Sequence, residues 1–136
     1  MRAEGKIHKF EDLEVWQKSH NLVLEIYIIT KDFPKEEKFG LISQMRRAVV
    51  SVPTNIVEGF RKRSEKDKTN FYNIAQASLD ELRYYIILAR DLHYLDNSKT
   101  DEICEKIEEV ARMLNGLINS VGSKYFPNSS LLTTHY

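Results

Sequence analysis

An all-α fold, an antiparallel up-down-up-down four-helix bundle, follows from three observations. Apolar residues recur at three- and four-residue steps in every long segment, no stretch sustains strict apolar–polar alternation, and glycine-rich hairpin signals are absent. A chain of 136 residues has room for one domain with a real core and not for two comfortable ones. Short connections between the periodic segments favour neighbours that run antiparallel.

An N-terminal extension over 1–10 precedes a bundle over 11–121, and a flexible tail over 122–136 follows it. The first helix is predicted over 11–31. Pro34 suits the first turn of a second helix over 35–62. Ser64 with Asp67, and Ser98 with Asp101, read as capping boxes with Asp in place of Glu. They open a third helix over 65–94 and a fourth over 99–121, which Gly122 would stop. Phe71, Ala75, Ser78, Leu82, Tyr85, Ala89 and Leu92 form the seam of the third helix. Ile103, Ile107, Val110, Leu114, Leu117 and Val121 form that of the fourth.

Two helices carry more apolar residues than one bundle face requires. Leu22, Val23, Leu24, Ile26, Tyr27, Ile28 and Ile29 surround most of the first helix. On the second, Ile42, Met45, Val49, Val52, Ile56 and Phe60 share one sector, which Val50, Pro53 and Val57 widen to about 160°. Surplus of this kind is covered by the tail, by long Lys and Arg stems or by another subunit, and of these self-association is expected.

Opposite that arc, Gln44, Arg47, Ser51, Asn55, Glu58 and Lys62 fall together on one polar face. It is read as a solvated face or as a surface that binds a partner. Pro53 interrupts the same helix, since it has no N–H for the carbonyl of Val49 and its ring crowds that carbonyl, at about 3 kcal/mol. Val52 would be a poor N-cap for a fresh helix, so a kink at Pro53 in a continuous helix is predicted, with Ser51 or Thr54 serving the freed backbone groups. Gly59 allows a close approach or begins an unwinding.

Twenty basic and twenty acidic residues cancel, so nucleic-acid binding has no global electrostatic support and needs a local patch. One exists. In "FRKRSEKDK" at 60–68, Arg61, Lys62, Arg63, Lys66 and Lys68 face Glu65 and Asp67, a net of +3, and Arg46 and Arg47 lie four turns earlier on the same helix. Arginines and lysines grouped this way hold phosphates without reading sequence. Arg46, Arg47, Arg61, Lys62 and Arg63 are therefore the candidate nucleic-acid contacts.

No catalytic constellation emerges. The four histidines are scattered, no Glu-x-x-His pair exists, and phosphate-cradling loops, nucleophile elbows and HExxH are absent. His20, beside Leu13, Trp16 and Val23, is expected to be packed and hydrogen-bonded. Cys104, the single cysteine, reads as a small packing residue beside the seam. No catalytic residue, cofactor, metal or small-molecule substrate is expected. With one cysteine, no signal-peptide core in "MRAEGKIHKFEDL" and no run long enough to span a membrane, a cytoplasmic location is expected.

"FEDLEVWQKSHNL", "FPKEEKFGLISQMRRAVVSVPTNIVEG", "FYNIAQASLDELRYYIILARDLHYL" and "MLNGLI" together resemble the four-helix-bundle family of 23S rRNA intervening-sequence proteins. The likeness spans about residues 10–121, and its most specific piece is "FPKEEKFGL" followed by "QMRRAVVSVPTNIVEG". It implies a bacterial four-helix bundle assembled as a homopentamer. It also implies kinship with the accessory proteins of diversity-generating retroelements, which are basic and bind nucleic acid. This chain departs from those by its zero net charge, and His93 stands where a glycine is expected in an "LGYL" turn. The reading that results is a non-enzymatic homo-oligomer that binds structured RNA such as rRNA, or other nucleic acid, through basic residues. The alternative is a protein–protein scaffold with no nucleic-acid role, recruiting through the polar face.

Overall fold

The computed structural model describes residues 8–125; residues 1–7 and 126–136, most of the expected extension and tail, lie outside the described residues. Four helices make the domain: α1 (Glu14–Thr30), α2 (Leu41–Arg61), α3 (Glu65–Asp91) and α4 (Asn97–Tyr125), with single 3-10 turns at Phe10–Asp12 and Lys35–Glu37. Among the described residues there is no strand, and no helix is long and apolar enough to cross a membrane.

Apolar side chains from all four helices meet on one axis. Leu22, Ile26, Met45, Val49, Val52, Ile56, Leu79, Leu82, Ile86, Ile103 and Leu114 are almost wholly inaccessible. Helices adjacent in sequence pack on one another, α2 on α3 most extensively, while α1 and α3, like α2 and α4, are diagonal, with no Cα atoms within 8 Å of each other. Across α2 and α3, Ser51 meets Ser78 and Gly59 meets Tyr72; across α1 and α4, Lys18 meets Glu109 and Glu25 meets Lys106. Partner numbers fall on one helix as they rise on the other.

The α4 seam packs as its spacing predicts, with Ile103, Ile107, Val110, Leu114 and Val121 buried. On α3 the seam residues Ala75, Ser78, Leu82 and Ala89 are buried, but so are Tyr72, Gln76, Leu79 and Ile86. A helix touching two neighbours needs a wider face than one seam provides.

The helix ends differ from expectation at five places. The α-helical part of the first helix begins at Glu14, because Phe10–Asp12 take a tighter 3-10 turn. Pro34 opens only the turn Lys35–Glu37, and α2 starts at Leu41, where the Glu37 Oε1 accepts the Leu41 N–H at 3.1 Å. Gly40 leaves room for that carboxylate, since a Cβ there would stand 2.8 Å from it.

The third helix stops at Asp91. The His93 N–H bonds the Arg90 carbonyl and the Tyr94 N–H bonds the Ala89 carbonyl, with His93 at φ 67°. This is a Schellman ending in which histidine takes the left-handed site that glycine usually occupies. The fourth helix begins two residues before the expected place. Asp96, not Ser98, is its cap: Asp96 Oδ1 accepts the Lys99 N–H at 2.7 Å. Gly122 lies inside α4, which continues to Tyr125 with Val121 buried. A glycine permits a helix end without imposing one. Ser64 caps α3 as expected, accepting the Asp67 N–H at 3.0 Å.

The second helix is continuous through Pro53, which is buried. Thr54 Oγ1 donates to the Val50 carbonyl at 2.8 Å, one residue along from the carbonyl that the proline leaves without a donor.

Candidate interaction surface

The motif "FPKEEKFGL" builds one end of the bundle. Phe33 is buried and packs at 5.3 Å on the ring of Tyr94, from the turn between α3 and α4. Glu37 works twice: one carboxylate oxygen caps α2, and the other accepts the Tyr94 hydroxyl at 2.8 Å. That hydrogen bond, ahead of burial, pushes the Tyr94 hydroxyl's pKa up. The turn between α1 and α2 is thereby tied to the turn between α3 and α4.

Phe39, within the same motif, has no such role. It is 87% exposed and stands beside Tyr27 of α1 and Ile42 and Val50 of α2. These residues form an open groove of about 690 Å³ along the outer side of α2. Sequence reasoning missed Phe39; the available signal was an aromatic residue next to Gly40 and outside both periodic seams.

The expected polar face divides in two. Ser78 Oγ donates to Ser51 Oγ at 2.8 Å, and Asn55 Nδ2 donates to the Ser51 carbonyl at 2.8 Å and to its Oγ at 3.0 Å. Ser51 thus ties α2 to α3, and Asn55, one turn on, braces Ser51 within α2. Gln44, Arg47 and Glu58 are exposed.

The basic candidates also separate. Arg46 Nε donates to Thr30 Oγ1 at 3.0 Å, and its guanidinium lies 4.5 Å from the centre of the Tyr27 ring. It fastens α2 to the end of α1. Arg47 is exposed beside it, and Arg61 and Arg63 are exposed at the other end of the helix. Fourteen residues of helix put about 21 Å between the two groups, too far for one compact patch. Lys62 is half-buried with its ammonium 5.1 Å from the Phe71 ring centre. Lys68 Nζ donates to the carbonyls of Gly59 and Phe60, closing the C-terminus of α2. Arg61, Arg63 and Lys66 are exposed and form no ion pair among the described residues.

The remaining reactive types are accounted for by packing. His20, expected to be packed and hydrogen-bonded, is exposed and stacks on Trp16 with ring centres 5.2 Å apart and planes 5° from parallel. Cys104 is half-buried against the core, and burial pushes its thiol up, away from the reactive thiolate. Among the described residues no group of three His, Cys, Asp or Glu could hold a metal ion.

A family model described as "23S rRNA-intervening sequence protein" matches residues 11–116. A solved structure with the same fold is that of a protein of unknown function from the S23 ribosomal protein family of Bacteroides thetaiotaomicron. It is 27% identical over 76% of this chain and 94% of that one, with a TM-score of 0.71. No curated protein matches.

Proposed function

The chain belongs to the family of 23S rRNA-intervening sequence proteins, and from that premise we propose that it is a non-enzymatic, self-associating bundle that offers basic residues to structured RNA. The observation that carries self-association is a set of exposed apolar side chains on diagonal helices. Leu24 and Ile28 on α1 are 50% and 63% exposed, and Ile74 and Tyr84 on α3 are 47% and 58% exposed. A two-fold dimer would cover one such group with its own copy. Different exposed side chains on two diagonal helices suit head-to-tail contact, which forms a ring where the rotation between subunits closes, the arrangement that the homopentamer of the family resemblance requires.

The RNA part rests on Arg61, Arg63 and Lys66 at the corner between α2 and α3. A ring would repeat this corner, and repeated cations release counterions from phosphates even when the chain as a whole is neutral. The non-enzymatic part rests on the scattered histidines and the half-buried, raised thiol of Cys104.

Sedimentation tests the assembly: the wild type should run as a multimer, and Leu24→Asp or Tyr84→Asp should lower its mass. A wild-type monomer at micromolar concentration would remove the reading. A gel-shift with structured rRNA fragments tests the rest. Arg61→Ala with Arg63→Ala should weaken binding and reduce the salt slope by about one to two. Binding that is absent at low salt, or unaltered by those changes, would leave only the scaffold.

A further inference from the structure

We propose that the groove on the outer side of α2 is a docking site for an acidic amphipathic helix of another protein. This goes beyond self-association through α1 and α3 and uses different residues.

The groove has an apolar part, Tyr27, Phe39, Ile42 and Val50, continued by the uncharged Ser43, Ser51, Thr54 and Asn55. Its rim is cationic: Lys38, Arg46 and Arg47 line it, and no carboxylate does. In a chain whose charges balance overall, a groove holding three cations and no acid is a local bias, and it selects an acidic partner. The part of the lining on α2 runs from Ile42 to Asn55, about 20 Å of helix, which accommodates about three to four turns of a docked helix. Such a helix would present apolar residues at i, i+4, i+7 and i+11 to the apolar part and Glu or Asp to the rim.

The turn that carries Phe39, and the Arg46 side chain, are held before anything binds. Phe39 is carried on a turn held from behind by the Glu37 carboxylate, which is bonded to both Leu41 and Tyr94. Arg46 is held by Thr30 and Tyr27. A binding surface with rigid anchors loses little freedom on association. Single-stranded RNA suits the cations and the two aromatic rings, but it would leave the branched side chains of Ile42 and Val50 without use, since bases stack on flat rings. The peptide is therefore the better occupant.

The test uses the full chain and a fluorescein-labelled peptide of about sixteen residues, with leucines at i, i+4, i+7 and i+11 flanked by glutamates. A twin peptide has lysine for every glutamate. Fluorescence anisotropy should show saturable binding of the acidic peptide only. Phe39→Ala and Arg47→Glu, both at exposed positions, should each weaken it by about tenfold while leaving the helical circular dichroism unaltered. Absent binding, equal binding of the twin, or indifference to both substitutions overturns the proposal. So does a fall in sedimenting mass on Phe39→Ala, which would assign the groove to a second copy. Displacement of the peptide by single-stranded oligouridylate at low salt would assign it to RNA instead. Loss of multimers on Leu24→Asp with peptide binding intact would bear on self-association alone.

Discussion

Gly59 and Tyr72 interlock: a Cβ on Gly59 would stand 2.7 Å from Cδ1 of the Tyr72 ring, which is itself buried. The glycine in α2 is thus explained by a neighbouring ring rather than by unwinding or by backbone approach. Gly59→Ala should destabilise the fold by about 1–3 kcal/mol through overpacking, although alanine favours helix by about 1 kcal/mol. Urea unfolding gives the sign directly. A stabilised variant would mean that the ring moves aside freely.

The same ring predicts a pH effect. Burial, and then the charge of Glu65, push the Tyr72 hydroxyl up to about 12 from its ordinary value near 10. The folded chain holds this proton more tightly than the unfolded one. The associated stability is therefore present below pH about 10 and is lost as pH rises toward 12, by an amount on the order of 2–3 kcal/mol. Unfolding curves measured over that range should slope less for Tyr72→Phe than for the wild type.

His93 occupies a left-handed conformation, φ 67°, at the end of α3. Glycine adopts this without a Cβ clash. His93→Gly should raise stability by about 0.5–1 kcal/mol, a gain reduced by the greater freedom of glycine in the unfolded chain. A melting temperature higher by a few degrees would confirm it; a lower one would mean the imidazole contributes more than its strain.

Ser51 accepts from both Ser78 and Asn55. Ser51→Ala should cost about 1–2 kcal/mol because it strands the Ser78 hydroxyl in a half-buried interface and leaves Asn55 Nδ2 only the residue-51 carbonyl. Ser78→Ala removes one of those donors. The double substitution should therefore cost less than the two singles combined, with the difference read from a double-mutant cycle. Strict additivity would mean that the two hydroxyls do not work as a pair.

Much of the architecture was legible because helical period and burial share one cause. The Val49, Val52 and Ile56 face of α2 and the Ile103 to Val121 seam of α4 pack as their spacing predicts. The Ser64 cap was also legible, being local. The failures share a cause too: they depend on groups distant in sequence or on competition between adjacent caps. A projection around α2 alone places Ser51 and Asn55 opposite the apolar arc, yet α3 approaches from that side and uses its small Ser78 there. Asp96 outcompetes Ser98 because its carboxylate reaches the free N–H first. Arg46 read as a surface cation, but only the fold brings Thr30 and Tyr27 under it.

The stack of Trp16 and His20 carries an optical consequence. Trp16 is the chain's single tryptophan, and it lies between Phe10 and His20 at the start of α1. Its emission therefore reports on that end of the molecule alone. The groove at Phe39 belongs to the opposite end, beside the C-terminus of α1. Fraying of the first turn of α1 would change the native fluorescence before the core opens, so an unlabelled sample distinguishes local from global unfolding by colour.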